Sequence, residues 1–208
     1  MNELARIAID DGVAYVAWPE GGGAARSVRL DGKMLRDVRA RGAPRPVVGD
    51  RVEVSTDGQI VSLQPRRTKL ARKAAGSHDV EQVIAANVDV GFVAVGADGE
   101  LNERRLERYL AVVHDGAVEP VVLLMKADAC TDLESQRARV RAVANDVDVV
   151  TVSGVTGEGV AEVAKRIPPG ALAALLGSSG VGKSTLVNRL VGAARQKVGE
   201  LRDDGKGR

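Results

Sequence analysis

The residues whose types and order can do chemistry are concentrated at Gly177-Ser178-Ser179-Gly180-Val181-Gly182-Lys183-Ser184-Thr185. This stretch satisfies G-x-x-x-x-G-K-S/T, a loop whose backbone N–H groups surround the phosphates of a nucleoside triphosphate. In that pattern Lys183 brings an ammonium to the β and γ oxygens and Ser184 brings a hydroxyl to Mg²⁺, so these two are the candidate catalytic residues. A Gly-rich turn ahead of a helix is the plain alternative, but a bare turn needs neither Lys183 nor Ser184 directly after Gly182.

A second group lies earlier in the chain. Met125-Lys126-Ala127-Asp128 follows an apolar run and resembles the Asn-Lys-x-Asp sequence of GTP-binding proteins, in which the Asp carboxylate accepts guanine N1–H and N2–H together. Adenine offers no such pair of donors, so Asp128 discriminates by leaving a buried charge unpaired against the wrong base. Val152-Ser153-Gly154, after the next apolar run, resembles the Ser-Ala-x loop whose backbone N–H meets guanine O6. Met125 departs from the pattern, because a thioether cannot make the hydrogen bonds of the usual Asn. The expected loss is about 1–3 kcal/mol of binding, with the selectivity of Asp128 retained. A phosphate-loop ATPase or kinase, with residues 125–128 an accidental match, is a competing reading.

Such residues act only where strands and helices aim them. Residues 171–176 are a short apolar run expected as a buried strand, and residues from 183 onward, with Leu186, Leu190 and Val191 on one face, are expected as a helix. That order puts a helix N-terminus, carrying about half a positive charge, behind the phosphates. Upstream, residues 88–95, 121–125 and 147–152 are expected as strands. They alternate with a helix capped by Asn102 and carrying Leu106, Leu110 and Val113, a polar helix over 133–144 and a short one over 157–166. Strands alternating with helices imply a parallel α/β sheet that binds ligands at the carboxyl ends of its strands.

The first 65 residues have a different rhythm. Short strands are expected at 4–9, 13–17, 27–30, 51–55 and 59–63, separated by Asp11-Gly12, Gly21-Gly22-Gly23, Asp31-Gly32 and Asp57-Gly58. Five such strands point to a small β-barrel, OB-like or SH3-like. Tyr15 and Trp18, the aromatics of this segment, suit either barrel filling or base stacking. Residues 64–73 then carry Arg66, Arg67, Lys69, Arg72 and Lys73 with no acidic residue. Pro65 ahead of them and Ala74-Ala75-Gly76-Ser77 behind suggest a basic linker, closing a barrel domain of residues 1–73 before an α/β domain of residues 74–208. Its cations suit solvent and RNA phosphates equally.

Composition sets the outer limits. The 208 residues are 44% hydrophobic and 28% charged, an ordinary globular mixture sufficient for one or two cores. Cys130 is the single cysteine and there are two histidines, which excludes an internal disulfide and a cysteine zinc cluster. No signal pattern opens the chain and no apolar run approaches a membrane span, so a cytoplasmic protein is expected. Residues 1–78 hold 14 Lys and Arg against 9 Asp and Glu, whereas residues 79–208 hold 16 against 19, so the first third is the part suited to a polyanion.

Motif order narrows the class further. The base-reading segments precede the phosphate loop, the reverse of ordinary GTPases and the arrangement a circular permutation produces. Together with the barrel, Arg66-Arg67-Thr68-Lys69-Leu70 and Gln82-Val83-Ile84-Ala85-Ala86-Asn87-Val88-Asp89, this order resembles the ribosome small-subunit-dependent GTPase A family over essentially the whole chain. The resemblance implies an OB-like RNA-binding barrel, a circularly permuted P-loop GTPase domain and, beyond it, a zinc-binding domain. It implies GTP or GDP with Mg²⁺ at residues 177–185, 125–128, Ser153 and Gly154, with Lys126 over the base, and Arg66, Arg67, Lys69, Arg72 and Lys73 on RNA. It further implies GTP hydrolysis on the small ribosomal subunit and its rRNA during late maturation, and nothing in the sequence requires more than a monomer.

In the family, the segment similar to residues 196–208 runs into a His-Thr-Thr switch. That switch, a properly placed Asp-x-x-Gly loop and the zinc ligands are absent from this sequence; Asp204-Gly205-Lys206-Gly207 fits the formula but follows no strand. The GTPase domain is therefore expected to be incomplete at its C-terminus, with GTP bound and little hydrolysed. The alternative function is a nucleotide-gated RNA-binding module.

Overall fold

The computed structural model describes residues 2–73, 81–99 and 101–192. The chain divides into two compact units, Met1–Asp89 with Asp115–Val118, and Val90–His114 with Glu119–Arg208. The resulting class is the expected one, a small β-barrel followed by a parallel α/β domain.

In the first unit, β1 (Glu3–Asp10), β2 (Tyr15–Pro19), β3 (Arg26–Leu30), β4 (Arg51–Val54) and β5 (Gln59–Leu63) close into a barrel in the order β1-β2-β3-β5-β4. Every neighbouring pair is antiparallel except β3 and β5, which run parallel, a Greek-key closure that decides for the OB-like barrel. Strand alternation sends Ala5, Ile7, Tyr15, Ala17, Val28, Val52, Val54 and Ile60 inward to make the core. Tyr15 is thus a filling residue, its hydroxyl accepting from Arg45 Nη2 at 3.1 Å. Trp18, by contrast, is 57% exposed.

Two expectations fail locally. Asp31-Gly32 is not a hairpin turn but the start of α1 (Gly32–Arg41), where Asp31 caps the helix by accepting from Met34 N, and Gly42 ends it at φ 64°. An Asp carboxylate bonded to a backbone N–H shortly downstream serves turns and caps alike, so the dipeptide is ambiguous. The expected linker is also partly a strand: β6 (Lys69–Lys73) pairs antiparallel with β7 (Glu81–Ala86), and Leu70 is buried. The segment 74–77, expected to loosen the chain, lies outside the described residues, as does the expected switch segment 196–208.

The second unit is a parallel sheet ordered β10-β9-β8-β11, built from β8 (Val90–Gly96), β9 (Glu119–Met125), β10 (Val149–Val152) and β11 (Ala173–Gly177). The connections are α2 (Glu103–Asp115), α3 (Leu133–Ala144) and α4 (Val160–Lys165), and residues 183–192 form a further helix, α5. Asn102 Oδ1 accepts from Arg105 N at 2.9 Å as the expected cap of α2, whose buried stripe is Leu106, Leu110 and Val113. One sheet face packs Phe92, Ala94, Leu123, Met125, Val150 and Val152 with Val160, Val163, Val181 and Leu186. β11 occupies an edge among the described strands and its residues are half-buried, not fully buried as expected. The chain runs outward from β8 to β10, then returns to the far side of β8. Strand order therefore reverses between β8 and β11, the position at which such sheets open a crevice for ligands.

Candidate nucleotide-binding site

The phosphate-loop sequence leaves β11 at Gly177 and enters α5 at Lys183, in the order strand, loop, helix. Glycine is required at its first position, since φ is +148° and a Cβ would sit 2.6 Å from Ala94 O on neighbouring β8. Gly180 and Gly182 also hold positive φ, so consecutive N–H groups can turn toward one centre, as a phosphate cradle needs. Buried Val181 and Leu186 anchor the loop and the first helical turn in the core. Lys183 lies over the loop, its Nζ donating to Gly177 O at 2.8 Å and Ser178 O at 2.6 Å. Ser184 and Thr185 are exposed in the first turn of α5, and Ser179 is exposed on the loop.

Met125, the last residue of β9, is 1% exposed, and its Cε would lie 3.3 Å from a Cβ on Gly182. It meets the phosphate loop by packing, where the related motif has an amide. Lys126 adopts φ 62° and its Nζ pairs with Asp98 Oδ2 at 2.7 Å. Asp98 belongs to the loop after β8, so this ion pair spans the ends of two adjacent strands. Ala127 is buried, and Asp128 stands exposed in a 3₁₀ turn.

Asp128 and Ser153, 25 residues apart, meet at the ends of β9 and β10. Fully buried Ser153 donates from Oγ to Asp128 Oδ1 at 2.5 Å and accepts from Val155 N and Thr156 N. Its hydroxyl is thereby fixed on both sides and orients the carboxylate. Gly154 has no room for a side chain, because a Cβ would come 2.9 Å from Thr185 Cγ2 on α5. The base-type and phosphate-type segments thus converge at the carboxyl edge of a single sheet.

Three charged residues that no motif singled out complete this edge. Asp98 pairs with Lys126. Arg105 in α2 donates from Nη1 to Ser178 Oγ at 2.9 Å. Arg189 in α5 donates from Nε to Gly154 O at 2.9 Å and from Nη2 to Val155 O. Their partners are an ammonium, a hydroxyl and two carbonyls brought together only by folding, so one sequence carries no spacing that reveals them.

The donor set suits Mg²⁺ as a phosphate-bound ion, since that ion keeps several waters and takes few protein oxygens, of which the Ser184 hydroxyl would be one. No group of three or more His, Cys, Asp or Glu that could hold a metal occurs among the described residues. Of the basic residues expected on RNA, Arg66 is committed elsewhere: Nε and Nη2 grip fully buried Asp50 at 2.9 and 2.8 Å, and Nη2 also bonds Arg45 O. Arg67 pairs with Asp89, Lys69 with Glu81, and Arg72 bonds Gln82 Oε1, all at exposed positions. The Lys73 side chain lies outside the described residues. No described helix is long and apolar enough to cross a membrane.

Comparison with known proteins agrees with this geometry. The family model described as RsgA GTPase matches residues 63–208. The small ribosomal subunit biogenesis GTPase RsgA of Opitutus terrae is 44% identical over 183 residues, covering 82% of this chain and 50% of that protein. Its namesake in Xylella fastidiosa strain 9a5c is 48% identical over 174 residues, covering 81% and 50%. The chain thus spans about half the length of the curated relatives it matches. Among solved structures, YjeQ from Thermotoga maritima superposes with a TM-score of 0.72 at 23% identity, covering 91% of this chain and 65% of the other. YloQ, described as a circularly permuted GTPase, gives 0.62 at 20%, covering 90% and 64%. The fold matches in both, the family model covers more than half of the sequence, and the chain belongs to the RsgA GTPase family.

Proposed function

We propose that the protein is a guanine-nucleotide-dependent factor that binds GTP and GDP with Mg²⁺, hydrolyses GTP and acts in maturation of the small ribosomal subunit. The observation that carries this is the convergence of Asp128, held by Ser153, and the Gly177–Thr185 loop at one sheet edge. In this reading the loop N–H groups and the α5 N-terminus hold the phosphates. Lys183 exchanges its loop carbonyls for β and γ oxygens, and Ser184 reaches Mg²⁺. Asp128 accepts N1–H and N2–H of guanine, with the Ser153-Gly154 backbone at O6 and Met125, Lys126 and Ala127 shaping the base pocket. Hydrolysis in such sites rests on positioning and charge neutralisation. The relatives' names supply the ribosomal role. The barrel, with Arg67, Lys69 and Arg72 beside it in sequence, is the candidate rRNA contact. A cytoplasmic, monomeric protein follows from the same reading.

Binding of fluorescent GTP and ATP to the parent, Asp128→Ala and Lys183→Ala tests the assignment. We expect GTP to be preferred by the parent. Asp128→Ala should erase most of that preference, and Lys183→Ala should weaken both nucleotides by at least about tenfold. Equal affinity for GTP and ATP in the parent would sink the guanine assignment. Binding without turnover, on the isolated protein and with small subunits added, would favour a nucleotide-gated RNA-binding module.

A further inference from the structure

Arg189 links the two halves of the candidate site. It sits on the phosphate-binding helix α5, yet its guanidinium is directed to the base-type loop, with Nε on Gly154 O at 2.9 Å and Nη2 on Val155 O. Arg189 holds the two carbonyls from two different nitrogens of one rigid, planar fork, a geometry that the single donor atom of a lysine does not reproduce. The same loop touches α5 again where Gly154 meets Thr185, and a Cβ on Gly157 would lie 3.3 Å from Arg189 Nη1. Apolar burial does not hold this loop down, since Val155 is 69% exposed and Thr156 is exposed as well. Yet its first residue, Ser153, fixes the carboxylate of Asp128.

We propose that Arg189 is a positioning residue for guanine recognition: it clamps the loop at Gly154 and Val155 to α5, so that Asp128 and the phosphate loop are offered at a fixed separation. The inference rests on the guanine-nucleotide reading above. Its particular content is that nucleoside and phosphate recognition are joined through a side chain that need touch neither.

The test is competition against a fluorescent GDP analogue by GDP, ADP and Mg-tripolyphosphate, for the parent, Arg189→Met and Arg189→Lys. Methionine keeps an unbranched stem and the helix preference while removing every donor. Arg189→Met should lose about tenfold in GDP affinity and most of its preference for GDP over ADP, with tripolyphosphate competing as in the parent; Arg189→Lys should fall between. Retained tripolyphosphate binding reports a folded phosphate loop. GDP affinity of Arg189→Met within about twofold of the parent, or an equal loss for GDP and tripolyphosphate, overturns the proposal. A parent that binds ADP as well as GDP overturns the guanine reading instead, and that result is visible before any variant is compared.

Discussion

At Met125 the sequence and the physics of the site give a sharp expectation. Its thioether has no hydrogen to donate, and its methyl end packs toward Gly182. In the proposed guanine complex, N7, which an amide at this position would bond, would then be left to solvent. We expect 7-deaza-GDP to bind within about twofold of GDP, because replacing an unread acceptor removes nothing; a tenfold loss would mean that another donor reads N7. Gly154 gives the opposite kind of expectation. An added methyl would meet Thr185 Cγ2 at 2.9 Å, so Gly154→Ala should push the base loop outward and weaken GDP, and Thr185→Ser, lacking that methyl, should recover part of the loss. Ser153 was expected for its backbone N–H, and its hydroxyl bond to Asp128 was not foreseen; Asp128 and Lys183 were legible as letters because the chemistry proposed for them resides in their own side chains. Arg189 was not, because its partners are main-chain carbonyls 35 and 34 residues away, and a carbonyl has no letter.

Elements were legible where one face is buried and where the turn chemistry has a single meaning. All five barrel strands and the α2 cap lie close to where alternation, Gly-containing turns and Asn102 put them. α1 was missed because it fully buries no residue and its apolar stripe is short, Met34, Leu35 and Val38 between arginines. β6 was missed because its charges read as a linker, while its pairing with β7 is a fact about residues further along the chain. This changes how the basic run should be tested. Arg66→Ala removes the guanidinium from fully buried Asp50 and leaves the Val47 N–H on Oδ2, and we expect a loss of about 3–5 kcal/mol in the stability of the first unit. Arg67→Ala removes only an exposed pair and should change stability by no more than about 1 kcal/mol. Denaturant unfolding followed through Trp18, the single tryptophan, reports on the same barrel. If Arg66→Ala unfolds at the parent's midpoint, Asp50 has found another partner and the pair is not structural.

For the whole molecule, position in the chain and position in space are decoupled. β11 is the last described strand but lies beside β8, the first of its sheet, with Gly177 level with Ala94. Parallel strands written as near-continuous apolar runs carry no signal of who their neighbours are, so this adjacency could be inferred only from motif order. Charge is equally a property of placement. The excess of cations in residues 1–78 suggested a polyanion-binding face, but the charge of Arg66 is neutralised internally by buried Asp50, so it adds little net positive charge to such a face. For the proposed RNA contact, Arg67, Lys69 and Arg72 are the members of the run with exposed pairs, and each would share its donors between a phosphate and its present partner. Neutralising about three phosphates predicts a slope of about −2 to −3 in log K against log salt for rRNA fragments. Replacing Arg67, Lys69 or Arg72 by alanine should each flatten that slope by about 0.7–0.9. A slope near zero would exclude this run as the RNA contact, and a slope near −5 would require cations beyond it.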